Sequence, residues 1–116
     1  MGQKQNAERQ EMVQGTLDML ILRTLLAGPA HGHTIANVIE RTSDEVLQVE
    51  QGSLYPALHR LQDRGWLASY WGNSENNRKA KYYKLTAAGR RGLTAETSRW
   101  KEMVQAIGRV MREATE

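Results

Sequence analysis

Apolar positions along the chain fall into blocks whose spacing changes from helical to strand-like and back. From Thr16 onward, Leu17, Leu20, Ile21 and Leu25 recur at i, i+3, i+4 and i+8, the stripe of an amphipathic helix. Thr16 suits its N-cap, Asp18 suits the positive end of the dipole in the first turn, and Gly28-Pro29 should stop it. Ahead of it, Gln3 to Gln14 is polar and helix-permissive, with Met12 and Val13 its large apolar residues, and reads as an arm or a partner-packed helix. A second amphipathic helix is predicted where His31-Gly32-His33-Thr34 leads into Ile35, Val38 and Ile39, ending near Thr42 after about three turns.

After a polar break at Ser43 to Glu45, Val46-Leu47-Gln48-Val49 alternates weakly and predicts a minimal strand ahead of Gly52. A third helix follows from Ser53, with Leu54, Leu58 and Leu61 as its buried stripe and Gly65 as its C-terminal stop. Pro56 is expected in its first turn, where an amide has no intrahelical acceptor to lose. That stripe leaves Ser53, Pro56, Ala57, His59, Arg60, Asp63 and Arg64 off the buried side.

From Trp66 the period becomes that of a strand. Trp66, Ala68 and Tyr70 oppose Leu67, Ser69 and Trp71; further on, Lys81, Tyr83 and Leu85 oppose Ala80, Tyr82 and Lys84. The stretch from Gly72 to Arg78 is too long for a tight hairpin turn and predicts an extended loop with a basic trailing edge, a wing. Thr86 can then N-cap a last helix running from about Ala87 almost to the end. In it Leu93, Trp100, Ile107 and Ala114 recur every seven residues, with Met103 and Val110 between them. At ~1.5 Å per residue such a helix would be about 45 Å long, more than a domain this small can cover, so it calls for a partner surface.

Composition narrows the possibilities. A chain of 116 residues fits one folding unit, and 40% hydrophobic with 25% charged residues supports a packed core. The longest apolar run, Met19 to Ala27, is broken by Arg23 and Thr24 and falls short of the ~18 residues a membrane span needs. The absence of cysteine excludes a disulfide framework, a thiol nucleophile and a thiolate metal site. With no apolar leader segment in the polar N-terminus, the cytoplasm is the expected compartment. The net charge of +3 is unevenly spread: residues 52–92 hold eight Lys/Arg against Asp63 and Glu75, leaving the rest of the chain at −3. Positive potential concentrated in this way suits an anionic polymer partner.

The order helix, helix, short strand, helix, strand, loop, strand, long helix is that of a winged helix-turn-helix, mainly α with a small β-hairpin, followed by a long C-terminal helix. Residues 1–14 would be an N-terminal arm, 15–86 the DNA-binding domain and 87–116 a dimerisation helix. The third helix would enter the major groove, with Ser53, Tyr55, His59, Arg60 and Arg64 as contact candidates. Hydroxyls and first-turn amides can meet phosphate oxygens, and Arg60 can reach a guanine edge or a phosphate. The wing contributes Asn77, Arg78, Lys79 and Lys81, Arg78 foremost, toward the backbone or minor groove.

Several segments carry a resemblance. Gln14-Gly15-Thr16-Leu17, Gly28-Pro29-Ala30-His31-Gly32, Gly52-Ser53-Leu54-Tyr55-Pro56-Ala57-Leu58-His59-Arg60-Leu61, Gly65-Trp66-Leu67 and Lys81-Tyr82-Tyr83-Lys84-Leu85-Thr86-Ala87-Ala88-Gly89 resemble the PadR family of bacterial transcriptional regulators. The similarity extends over roughly residues 14 to 112. It implies a homodimer that binds operator DNA and usually represses, in the short subfamily whose C-terminal portion is one long helix. It also implies that a small aromatic or drug-like effector can be held between paired C-terminal helices near an aromatic residue, which by position is Trp100. His33 departs from the pattern, standing where the family generally carries tyrosine.

The dimer expected from these readings is held by Leu93, Trp100, Met103, Ile107 and Val110, and sets two third helices about 34 Å apart on an inverted-repeat operator. His31, His33 and His59 make an incomplete metal set, and no nucleophile-base pair or phosphate loop is present, so neither an enzyme nor a metal or other cofactor is expected. The competing reading is a winged-helix module that binds protein rather than DNA. Arg60, Arg64, Arg78, Lys79 and Lys81 together argue against it.

Overall fold

The computed structural model describes residues 16–115, with side chains through residue 112. The expected N-terminal arm, residues 1–14, lies outside the described residues. Helix α1 covers residues 16–25, and Gly28, at φ +147°, turns the chain out of it where Gly28-Pro29 was expected to. Thr16, expected as the N-cap, is itself helical. Leu17, Ile21 and Leu25 are buried as expected; Leu22 joins them while Leu20 is only half-buried, which rotates the core stripe slightly.

The short strand stands elsewhere than the sequence predicts. Strand β1 is Ala30–His31, between the first two helices, and pairs with Tyr83 and Tyr82. Residues 46–49 form no strand, because their amides are already engaged at the end of helix α2, Gly32–Thr42. The Val46 amide donates to the Ser43 carbonyl (3.1 Å), that of Leu47 to Ser43 Oγ (3.1 Å) and that of Val49 to Glu40 Oε2 (2.8 Å). Asp44 and Glu45, both at positive φ (52° and 66°), fold the segment back onto α2 and leave no ladder edge.

Helix α3 is Gln51–Asp63, starting two residues before Ser53, so Pro56 falls in its second turn rather than its first. Its ladder therefore lacks the bond residue 56 would donate to the Gly52 carbonyl. Leu54, Leu58 and Leu61 are at most 1% exposed, and Ala57, expected on the open side, is fully buried beside them. The helix ends in a Schellman motif: the Gly65 amide donates to Gln62 (2.9 Å), that of Trp66 to Leu61 (2.9 Å), and Gly65 takes φ +78°.

Strands β2 (Leu67–Asn73) and β3 (Lys79–Leu85) form the hairpin, with β3 at the centre of a three-stranded antiparallel sheet ordered β1-β3-β2. The strands run further into the wing than the sequence suggests: Asn73 pairs with Lys79 and the loop is residues 74–78. It is closed by the Ser74 amide on the Arg78 carbonyl (2.7 Å), with Asn77 at φ +58°.

Helix α4, Ala87–Thr115, begins at the expected cap: Thr86 Oγ1 accepts from the Gly89 amide (3.0 Å) and donates to the Gly65 carbonyl (2.7 Å). Its first turns lie on Trp66, in contact so close that Gly89 and Gly92 have no room for a side chain. Leu93, expected in the partner-facing stripe, is only 6% exposed and belongs to the core of its own chain. Beyond it the helix overhangs the body and carries exposed Trp100, Met103, Val104, Ile107, Val110 and Met111.

Candidate nucleic-acid interface

The burial of α3 through Leu54, Ala57, Leu58 and Leu61 fixes which side it presents. Tyr55, Pro56, His59, Arg60 and Asp63 lie exposed at helical spacing along one outward stripe that begins at Gln51 and Gly52. Ser53 sits off this stripe, half-buried, and its amide already donates to the Glu50 carbonyl (3.0 Å), so that amide is not available to a phosphate. Arg60 is turned toward α1, where Nη2 donates to Asp18 Oδ1 at 3.0 Å across a partly exposed pair. Such a pair contributes at most about 1 kcal/mol to the fold, and the Arg60 side chain remains 43% exposed. The Arg64 guanidinium lies over the Trp66 ring, 5.3 Å from its centroid.

Between the wing and the start of α2, with one residue of α3 reaching in, lies an open cleft of about 670 Å³. Tyr55 projects into it from α3, and Arg78, Lys79 and Lys81 from the wing, so four of the residues expected from sequence meet there. Ser53, His59, Arg60, Arg64 and Asn77 do not line it. The rest of its lining was not expected among the contact residues: residues 31–34 and Asn37 at the start of α2, Trp71 from β2, Ala80 and Tyr83 from β3, and Ser74, Glu75 and Asn76 from the wing loop, Glu75 setting one carboxylate against the three cations. No periodicity marks these α2 residues, because they are merely the solvent side of a helix whose apolar stripe is elsewhere. Trp71 carries a signal that could have been used, since it shares a face with Lys81 in a strand-period reading.

Close packing holds the cleft in shape. A side chain on Gly32 would come within 2.9 Å of the Tyr55 hydroxyl, so this glycine lets α3 pack its aromatic ring against the entry of α2. His31 occupies the α2 N-cap, its Nδ1 accepting from the Thr34 amide at 3.4 Å. Across the sheet, His31, Tyr82 and Tyr70 share one rung, the His31 ring edge-on to Tyr82 at 5.4 Å and the two tyrosines stacked at 5.5 Å. This row stiffens the base of the wing. Burial, with the nearby Tyr55 phenol adding to it, pushes the Tyr83 hydroxyl above the ordinary tyrosine range, and Lys81 Nζ lies 5.8 Å from the centroid of its ring.

The arrangement offers an aromatic floor, three cationic side chains against the single carboxylate of Glu75 on one wall and the polar start of a helix on the other, a net positive surface suited to a phosphodiester strand. Among the described residues no group of three or more His, Asp or Glu could hold a metal, and no helix is long and apolar enough to cross a membrane.

Known proteins share both sequence and shape with this chain. The model of a family described as transcriptional regulator PadR-like matches residues 21–95. A PadR family transcriptional regulator from Eggerthella lenta is 30% identical and superposes with a TM-score of 0.75, over 95% of this chain and 94% of its own. A transcriptional regulator from Clostridium thermocellum is 27% identical with a TM-score of 0.78, over 85% and 96%. The Bacillus subtilis PadR structure, solved in complex with operator DNA, is similar in fold (TM-score 0.63, 23% identity) over 71% of this chain and 45% of its own.

Proposed function

The chain belongs to the PadR-like family of transcriptional regulators, and from that premise we propose that it is a sequence-specific double-stranded DNA-binding repressor acting as a homodimer. Residues 15–86 bind DNA and residues 87–116 dimerise. The observation that carries this reading is the cleft that joins Tyr55 of α3 to Arg78, Lys79 and Lys81 of the wing. The α3 stripe of Tyr55, His59 and Arg60 enters the major groove, Arg64 lies beside it, and the wing with Asn77 at its tip follows the adjoining backbone. A structurally similar Bacillus subtilis protein, solved in complex with operator DNA, supports DNA as the partner.

The overhanging part of α4 supports the dimer, because a continuous run of exposed Trp100, Met103, Ile107 and Val110 is what a second copy would cover. Leu93 drops out of that interface, being already buried. Paired α4 helices set the two α3 helices about one DNA turn, 34 Å, apart on an inverted repeat. A small aromatic molecule wedged beside Trp100 would change that spacing and release the operator.

The wing's share is measurable. Replacing Arg78, Lys79 and Lys81 together with alanine should lower affinity for operator and scrambled duplex alike by about 100-fold at physiological salt, and flatten the log-log salt slope by up to about three. An unchanged affinity and slope would remove the cleft from the interface.

A further inference from the structure

Trp71 is 63% exposed, although an indole is among the costliest side chains to leave in water. Its register explains where it faces. Leu67 with Leu85, Ser69 with Tyr83, Trp71 with Lys81 and Asn73 with Lys79 share one side of the hairpin, which passes from buried apolar residues at the base to cations near the tip. Trp71 stands at the crossover, inside the cleft, with Lys79 Nζ 5.9 Å from its ring centroid and Lys81 opposite it across the ladder. A duplex strand offers the matching alternation, since charged phosphates are separated by deoxyribose rings whose faces are largely apolar.

We infer that Trp71 packs its indole against a deoxyribose of the bound duplex while Lys79 and Lys81 meet the phosphates on either side. The contact is a sequence-independent apolar anchor within the DNA interface and rests on the DNA-binding reading above. Its chemistry separates it from its neighbours. A lysine that releases a counterion contributes to the salt dependence of binding, whereas an indole on a sugar contributes affinity that salt does not screen.

The test uses the full chain with a duplex it binds and a scrambled one, following intrinsic tryptophan emission and affinity across a salt series. Duplex should change the emission of the unmodified protein, and Trp71→Phe should abolish that change although Trp66 and Trp100 remain. Trp71→Ala should bind both duplexes about tenfold more weakly with the salt slope unaltered, while Lys79→Ala should lower the slope by about one. An emission change that survives in Trp71→Phe, or an alanine variant that binds as tightly as the unmodified protein, would overturn the assignment. The phenylalanine variant keeps the test decisive should the alanine variant fold poorly. If the unmodified protein binds no duplex at low salt, the DNA-binding reading falls and this contact with it. If it binds and Trp71 is silent, only the contact falls.

Discussion

Ile107→Asp is expected to elute from a sizing column as a folded monomer and to lose operator affinity by two or more orders of magnitude. The physical reason lies in the surroundings of position 107 on α4. Ile107 is 53% exposed in the single chain, so an aspartate there disturbs no packing within its own fold. Its helical neighbours Trp100, Met103, Val104, Val110 and Met111 are likewise open and apolar. When two such faces meet, an aspartate from each copy is buried without a partner, at a cost of about 3–5 kcal/mol per uncompensated charge. Without the dimer each α3 binds its half-site alone, and the gain of about 10²–10⁴ from linking two sites is lost. An Ile107→Asp protein that remained a dimer would show that the assigned face is not the interface.

A second large effect is expected at Gly89, where replacement by alanine should destabilise the protein by about 3 kcal/mol even though alanine is the better helix former by about 1 kcal/mol. A Cβ there would stand 2.1 Å from the Trp66 carbonyl oxygen and 3.0 Å from Leu85 Cδ2. The oxygen is backbone, held by the Thr86 amide (3.1 Å) at the corner that also caps α4, so it cannot swing aside as a side-chain tip would. Relief requires α4 to lift from Trp66, which also uncovers Leu93. A thermal melt followed by circular dichroism should show the midpoint falling by roughly 10–15 °C. Gly108→Ala, with nothing within 4 Å of the new methyl, serves as the contrast and should leave the midpoint level or slightly raised. A Gly89→Ala protein that melted no lower than the original would refute the docking of α4 on Trp66.

Most of the architecture was legible because apolar spacing reports burial directly. Leu54, Leu58 and Leu61 marked the inner side of α3, Gly65 its end and Thr86 the start of α4, each through a local rule that tertiary packing did not override. Where the sequence misled, a longer-range partner decided. Val46 to Val49 has strand-like residues, but Ser43 and Glu40 take up its amides, while Ala30–His31 has little strand character and pairs because β3 passes beside it. Pro56 is tolerated in the second turn of α3 on its solvent side, where water can serve the Gly52 carbonyl. Ala57 adds little to a hydrophobic stripe and so reads as an outer position, yet its small size is what lets it sit at full burial.

The candidate site was legible in its charges and not in its shape. Arg78, Lys79 and Lys81 stand out as a cluster, and Tyr55 as a contact candidate near the start of the third helix. The far wall of the cleft, from His33 to Asn37, depends on how α2 leans against α3 at Gly32, a contact set by the absence of a side chain. Leu93 and Trp100 lie one heptad apart on the same face and would be assigned the same neighbour by periodicity alone. In the folded chain the domain's body ends between them, so the first is core and the second is open.

Binding of the unmodified protein to a duplex copied from upstream of its own reading frame, measured against a scrambled duplex across a salt series, tests the central claim most directly. The account predicts a preference for the first duplex by at least about a thousandfold and an affinity that falls steeply with salt, as neutralisation of several phosphates requires. No binding to either duplex at low salt, or weak binding that salt does not alter, would contradict it and leave the winged helix as a surface for a protein partner.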